Sequence, residues 1–206
     1  NISTVLQNRY RNTSKVHYAD PNRLVTFIDN HDVDRFAKVM NGNIPLIKAA
    51  YGIIFTIPGI PQIYYGNEQG FAGECREGMF TGSFRSEGTV QTQDYFDQTN
   101  DWFIYFQNLT KMRKENKVFR YNTLYVLDDT DDAAGLFAYV VREKDENGNY
   151  VTTGTKKKAI YIMNTTNTAK IKAIIFFTPI SPFIKIGKIS ILHSGGRHCF
   201  HNIALS

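Results

Sequence analysis

Short apolar runs and helical periodicity dominate the first third of this chain. Residues 24–28 and 60–65 are apolar runs rich in β-branched residues, without alternation, and polar residues or glycine follow each of them. Such runs are typical of parallel strands that are buried on both faces. Between them, apolar residues at helical spacing follow Asn43 and Pro45 and continue to about residue 56, which predicts a capped helix. The order strand, helix, strand indicates a βαβ unit.

The pattern changes twice after this unit. Residues 66–99 contain six glycines and little periodicity, which predicts a long loop of the kind that often carries function. A second helix is predicted over residues 100–116, where Thr99 and Asn100 are alternative caps. From about residue 120, apolar runs alternate with turn residues, which predicts an antiparallel β-domain. Its predicted strands are residues 121–127, 136–142 and 159–163.

Composition and charge narrow the class of protein. Of 206 residues, 42% are hydrophobic and 21% charged, which is ordinary for a globular protein with a real core. The longest apolar runs fall far short of the ~20 residues that a membrane helix needs, so we expect no membrane-spanning segment. All 19 acidic residues precede residue 147, and eight basic residues follow it. Because these eight are scattered among apolar residues, apart from three lysines at 156–158, we expect no nucleic-acid partner.

A dense polar cluster, D-N-H-D-V-D-R at residues 29–35, directly follows the first predicted strand. In parallel α/β folds the carboxyl ends of strands face the ligand site, so this position favours chemistry. Three interpretations compete. In the first, the cluster is a polar loop whose Asp32 or Asp34 caps a turn. In the second, it is a metal site built on His31. In the third, it is a glycosidase-type site. In the third case a carboxylate and an imidazole bind sugar hydroxyls and stabilise an oxocarbenium-like transition state.

A second motif, GIPQIYYGNEQGF at residues 59–71, favours the third interpretation. Together the two segments resemble the α-amylase family of glycoside hydrolases. The F-x-x-N-H-D signature of that family matches Phe27, Asn30, His31 and Asp32. Its G-x-P-x-x-x-x-G-x-E signature matches Gly59, Pro61, Gly66 and Glu68. The resemblance is close over residues 23–72, extends as a pattern to about residue 165, and fades after that.

The resemblance implies an α/β fold made of part of a (β/α)8 TIM barrel followed by an antiparallel β-sandwich domain. Residues 1–118 are then the C-terminal part of the catalytic barrel, with its strands 7 and 8 and their helices. Residues 119–206 are the C-terminal β-domain, poorly matched after about residue 170. In this family the nucleophile and the general acid lie at the ends of strands 4 and 5. We therefore expect this chain to be a C-terminal part of a longer enzyme, and inactive by itself.

The resemblance also implies roles for single residues. Asp32 is the catalytic carboxylate that grips the hydroxyls of the reacting sugar and stabilises the transition state. The predicted substrate contacts are Asn30, His31, Tyr65 and Phe71. The predicted structural supports are Asp29, Arg35 and Glu68, where Arg35 is expected to pair with a nearby carboxylate. For Tyr64, packing in the core is favoured over a sugar contact.

The implied function is that of a retaining glycoside hydrolase whose partner is an α-glucan or malto-oligosaccharide. Hydrolases and transferases share these motifs, so the resemblance does not separate them. The alternative is a non-catalytic amylase-like module that binds carbohydrate or serves a structural role. No cofactor and no metal ligand set is visible in this chain, although the family pattern allows calcium in the full-length parent. An extracellular or cell-surface location is favoured over a cytoplasmic one.

Overall fold

A computed structural model describes residues 2–10, 18–129, 136–151, 158–164 and 173–178. The predicted tail beyond residue 178 lies outside the described residues. The helices are α1 (Ile2–Tyr10), α2 (Phe36–Val39), α3 (Ile44–Thr56) and α4 (Asp101–Glu115). The strands are β1 (Val25–Thr26), β2 (Ile60–Pro61), β3 (Phe84–Ser86), β4 (Thr89–Val90), β5 (Asn122–Asp129), β6 (Leu136–Glu143), β7 (Lys158–Asn164) and β8 (Ala173–Thr178).

The predicted βαβ unit is confirmed. Strands β1 and β2 pair in parallel, with Val25 opposite Ile60, and the connection between them contains the short α2 and the predicted helix α3. Each strand has only two residues, so both are shorter than the apolar runs that predicted them. Val25 and Ile60 are 53% and 54% exposed, and the expectation of burial on both faces is wrong for them. The physical reason is that, among the described residues, this sheet consists of two strands, so no further strand covers its edges, and α2 and α3 lie in the connection between them.

The two long helices follow their sequence signals closely. Asn43 caps α3 by accepting the amide N–H of Leu46 at 3.3 Å. Asn100 caps α4 by accepting the amides of the next turn at 2.8 and 2.9 Å. Both helices are confirmed within one residue at each predicted end. Their facing sides form one buried cluster, whose fully packed members are Ile47, Tyr51, Phe55, Phe106 and Leu109.

Strands β5 to β8 form an antiparallel four-stranded sheet in sequential order. The three strands predicted in this region are confirmed, and β8 is an additional one. The sheet shares a core with α1 and α3, so that packing continues across the predicted boundary at residues 118 and 119. Two buried tyrosines join the sheet to α3. The hydroxyl of Tyr161 donates to the carbonyl of Ala49 at 2.5 Å, and that of Tyr139 lies 2.5 Å from Thr56 Oγ1.

The segment predicted as a long loop contains two small ordered elements. A 3-10 helix covers Asn67–Gln69, and β3 and β4 form a hairpin. Backbone hydrogen bonds close the base of this hairpin, such as the one from the amide of Tyr95 to the carbonyl of Met79 at 2.8 Å. Four of the six glycines have positive φ, so the glycine-rich composition reflects tight turns, and local hydrogen bonds connect them.

Candidate active site

The motif residues Asn30, His31 and Asp32 lie in the turn that connects β1 to α2, beyond the carboxyl end of β1. Asn30 shapes this turn, because its Oδ1 accepts the backbone N–H of Asp32 at 2.8 Å. The side chains of His31 and Asp32 are 56% and 64% exposed. The carboxylate of Asp32 therefore points outward and is open to a ligand.

Both oxygens of the Asp32 carboxylate face a nitrogen donor. His31 Nε2 lies 3.3 Å from one oxygen, and Arg76 Nη2 donates to the other at 3.3 Å. Pairs this exposed contribute little to stability, so their importance is for orientation and charge. A carboxylate between an imidazole and a guanidinium offers acceptors and donors together, which suits neighbouring hydroxyl groups. Sequence reasoning missed Arg76, because it lies in the glycine-rich segment outside both motif positions.

Asp29 supports this turn from inside the protein. It is 2% exposed. Its Oδ2 accepts the amide N–H of Phe36 at 2.9 Å, and its Oδ1 accepts from Asn67 Nδ2 at 2.8 Å. One carboxylate therefore ties the start of the polar segment both to the start of α2 and to the segment that follows β2.

Arg35 lies at the other end of the polar segment and is fully buried. Its Nη1 donates to the carbonyl of Tyr65 at 2.9 Å and to Asn67 Oδ1 at 3.2 Å. Its Nε donates to the carbonyl of Glu74 at 3.1 Å and lies 3.5 Å from Glu77 Oε2. Three aromatic rings also face the guanidinium with centroids between 5.0 and 5.3 Å away, namely Tyr64, Tyr65 and Phe71.

Glu77 is the carboxylate that lies beside Arg35, and neither of the two sequence motifs contains it. It is 8% exposed. Burial raises the pKa of Glu77 above its ordinary value, and the charge of Arg35 opposes that rise. The two groups form a buried ion pair whose main consequence is to hold the segment after β2 against the polar segment after β1.

The two predicted aromatic contacts differ in exposure. Tyr65 is 39% exposed, and its ring packs edge-on against Tyr64 with centroids 4.6 Å apart. Phe71 is 7% exposed and packs edge-on against Tyr95 at 4.9 Å. It also closes over Gly66, where an added Cβ would lie 2.5 Å from its ring. A sugar contact stays a prediction for both residues, and the structure leaves more open ring surface on Tyr65.

Glu68, the motif acid, is half-buried. The contacts to the polar segment come from its neighbour Asn67, which occupies the variable position of the motif. The bracing role of Glu68 stays a prediction. Asn67 was not singled out by the sequence, because a variable position in a motif carries no signal of its own.

Beside the site lies a cavity of about 440 Å3, lined by acidic, basic and aromatic side chains that include Glu74, Glu77, Arg85 and Tyr95. Asp32 is not part of its lining and lies on open surface. Within the described part of the chain, no group of three or more His, Cys, Asp or Glu side chains is placed to hold a metal ion. None of the helices described in the structure has the length and apolar character needed to cross a membrane.

Comparisons with known proteins add to this geometry. Residues 2–94 match the family described as alpha amylase, catalytic domain. A cyclomaltodextrinase from Thermoanaerobacter pseudethanolicus is 27% identical over 156 residues, which are 72% of this chain and 24% of that protein. A solved γ-CGTase from alkalophilic Bacillus clarkii has a TM-score of 0.52 at 26% identity, covering 74% of this chain and 19% of its own. An α-amylase from Geobacillus thermoleovorans, complexed with acarbose, has a TM-score of 0.51 at 26% identity. The matched region covers 74% of this chain and 29% of that protein. The chain thus spans less than a third of each of these proteins.

Proposed function

The chain belongs to the α-amylase family, and from this premise we propose that it is part of a retaining glycoside hydrolase acting on α-linked glucans. In this proposal β1 and β2 are the seventh and eighth strands of the (β/α)8 barrel. The antiparallel sheet β5–β8 belongs to the β-sandwich domain that follows. The proposed substrate is starch, maltodextrin or a related malto-oligosaccharide.

The observation that carries the proposal is the setting of Asp32. Its carboxylate is open to solvent beyond the end of a parallel strand, while the residues on either side of its turn are buried and hydrogen-bonded. We assign Asp32 the role of accepting hydrogen bonds from two neighbouring hydroxyls of the reacting glucose. Hydrogen bonds of this kind strengthen as the ring distorts and positive charge develops, and they supply several kcal/mol in glycosidases.

The neighbours of Asp32 take supporting roles in this proposal. His31 lies beside the carboxylate and donates to the same sugar. Asn30 also contacts the substrate in this proposal, and its Oδ1 keeps the turn in shape by accepting the amide N–H of Asp32. The exposed ring of Tyr65 offers an apolar surface for a second sugar. Retention of configuration needs a nucleophile and a general acid about 5 Å apart. We propose that other parts of the protein supply both groups.

The test is the substitution Asp32→Asn in the intact protein, by which we mean the full-length enzyme that we propose this chain to be part of. It removes the charge and one acceptor without changing the shape, so we expect kcat on soluble starch to fall at least about 10²- to 10³-fold. The thermal midpoint should stay unchanged, since Asp32 is exposed. Asp34→Asn is the matched control, because Asp34 is an exposed aspartate two residues away whose partner is Lys38 at 3.1 Å. An Asp32→Asn protein with wild-type turnover would refute the proposal.

A non-catalytic carbohydrate-binding module is the second candidate, since the residues described here contain one of three expected catalytic carboxylates. Isothermal titration with maltoheptaose separates the two functions. A module binds the oligosaccharide, loses affinity on Asp32→Asn, and releases no reducing sugar from starch. An enzyme releases reducing sugar when intact. We also propose that the 206-residue chain alone releases none.

A further inference from the structure

A single side chain holds both ends of the segment that carries Asp32. Asn67 Nδ2 donates to Asp29 Oδ1 at 2.8 Å, and Asn67 Oδ1 accepts from Arg35 Nη1 at 3.2 Å. Asn67 Nδ2 also donates to the hydroxyl of Tyr51 at 2.6 Å, so both of its N–H groups and its oxygen are used. Asp29 and Arg35 lie three residues before and three residues after Asp32 in the sequence. The side-chain amide of Asn67 is therefore hydrogen-bonded to the residues at both ends of this turn.

We propose that Asn67 is a positioning residue for Asp32, an inference that rests on the function proposed above. Asn67 does not touch the substrate. It fixes the two ends of the 29–35 segment against α3 and the segment after β2, and thereby sets where the exposed carboxylate stands. A displacement of about 1 Å in a catalytic group can reduce turnover about 10²-fold, so this kind of support matters for rate.

The chemistry of the site explains why an amide is needed. Asn67 faces a carboxylate on one side and a guanidinium on the other, both buried, and must donate to the first and accept from the second. A carboxylate at this position satisfies Arg35 but repels Asp29. An apolar side chain leaves Asp29, Arg35 and Tyr51 each without one partner, and unsatisfied buried groups are costly. An amide of this length meets all three requirements at once.

The substitution Asn67→Asp should make kcat depend on pH. It places two carboxyl groups within hydrogen-bond distance, and such pairs share a proton because both do not readily ionise together. At acidic pH the shared proton restores the link to Asp29, whereas at alkaline pH the two charges repel and release that end of the segment. We expect kcat to fall about 10²-fold at pH 8, with KM little changed, and to recover as the pH is lowered.

Gln69→Glu is the matched control, because it makes the same amide-to-acid change in the same 3-10 helix. Gln69 Oε1 accepts from the amide of Asp97 at 3.0 Å and from Asn100 Nδ2 at 3.1 Å. Its Nε2 donates to the carbonyl of Asp97 at 3.2 Å. These contacts hold the helix to the start of α4 and do not reach the 29–35 segment. We expect Gln69→Glu to lower the thermal midpoint and to leave the pH profile of kcat unchanged.

Hydrogen exchange at pH 8 gives a second measurement that does not depend on turnover. The amide of Phe36 donates to Asp29 at 2.9 Å, so its protection reports whether that end of the segment is held. We expect exchange at Phe36 to be at least about tenfold faster in the Asn67→Asp protein than in the wild type, and unchanged in Gln69→Glu. If the wild-type protein does not hydrolyse glucans, the proposed function is refuted. In that case, hydrogen exchange at Phe36 in Asn67→Asp and in the wild type still decides whether Asn67 holds the 29–35 segment. Unchanged exchange, or an equal pH effect in both variants, overturns the positioning role.

Discussion

The buried guanidinium of Arg35 offers the sharpest prediction for stability. Arg35→Met replaces it with an apolar side chain that fits the same space without the charge. The substitution removes the donors to the carbonyls of Tyr65 and Glu74 and to the side chain of Asn67. It also leaves Glu77, 8% exposed, without its cation.

The size of the effect follows from the loss of a buried ion pair. Removing one partner of such a pair costs about 3–5 kcal/mol, because the other charge stays buried and uncompensated. A folding unit of 150–250 residues shifts its thermal midpoint by about 2–4 °C per kcal/mol, and a larger unit shifts less because its unfolding entropy is larger. Because the intact protein is larger than this chain, we expect Arg35→Met to lower its thermal midpoint by on the order of 5 °C at neutral pH.

The stability lost on Arg35→Met should also depend on pH, and the protonation of Glu77 determines whether the loss grows or shrinks as the pH rises. Burial raises the pKa of Glu77 above its ordinary value of 4.5, so the folded protein binds this proton more tightly than the unfolded chain. The stability from that proton is complete below pH 4.5 and is lost as the pH rises through the raised pKa. Without Arg35 the pKa of Glu77 rises further. Scanning fluorimetry should therefore show a larger loss for Arg35→Met at pH 8 than at pH 5.

A double variant tests the same reasoning from the other side. Adding Glu77→Gln to Arg35→Met removes the uncompensated charge, so it should restore part of the lost stability at pH 8 and little at pH 5. Equal losses at the two pH values would refute the reasoning. So would a double variant at pH 8 that is as unstable as Arg35→Met alone, since the buried charge of Glu77 would then not be the cause.

Two further substitutions test packing, and both are measured as thermal midpoints of the intact protein. Gly66→Ala puts a Cβ 2.5 Å from the ring of Phe71 at a φ of +85°, whereas Gly88→Ala has a φ of +72° and nothing within 4 Å. Gly66→Ala should therefore cost about 1–3 kcal/mol more than Gly88→Ala, and equal shifts would contradict the clash. Tyr161→Phe removes the buried hydroxyl that donates to Ala49 at 2.5 Å and should cost about 1–2 kcal/mol. An unchanged midpoint would mean that this hydrogen bond adds nothing to the packing of the sheet on α3.

Local rules explain why much of the fold could be predicted. The caps at Asn43 and Asn100 and the apolar spacing after them depend on residues within one or two turns, so α3 and α4 were predicted closely. The parallel pairing of β1 with β2 followed from the length of the connection between them. The family resemblance rested on the same kind of information, because each motif is a short run of the chain. The exposure of Val25 and Ile60 was not predictable, since it depends on what packs against the sheet.

The sequence by itself determined the order of the two long helices and the main strands, the resemblance to the α-amylase family, and the choice of Asp32 as the residue to test. Only the tertiary structure decided which side chains hold that residue in place. Asn67 meets Asp29 and Arg35 across separations of 38 and 32 residues. The ion pair of Arg35 with Glu77 and the contact of Arg76 with Asp32 join segments as distant along the chain. Hydrogen bonds and ion pairs of this range have no periodicity along the chain, because they form only where packing brings the partners together.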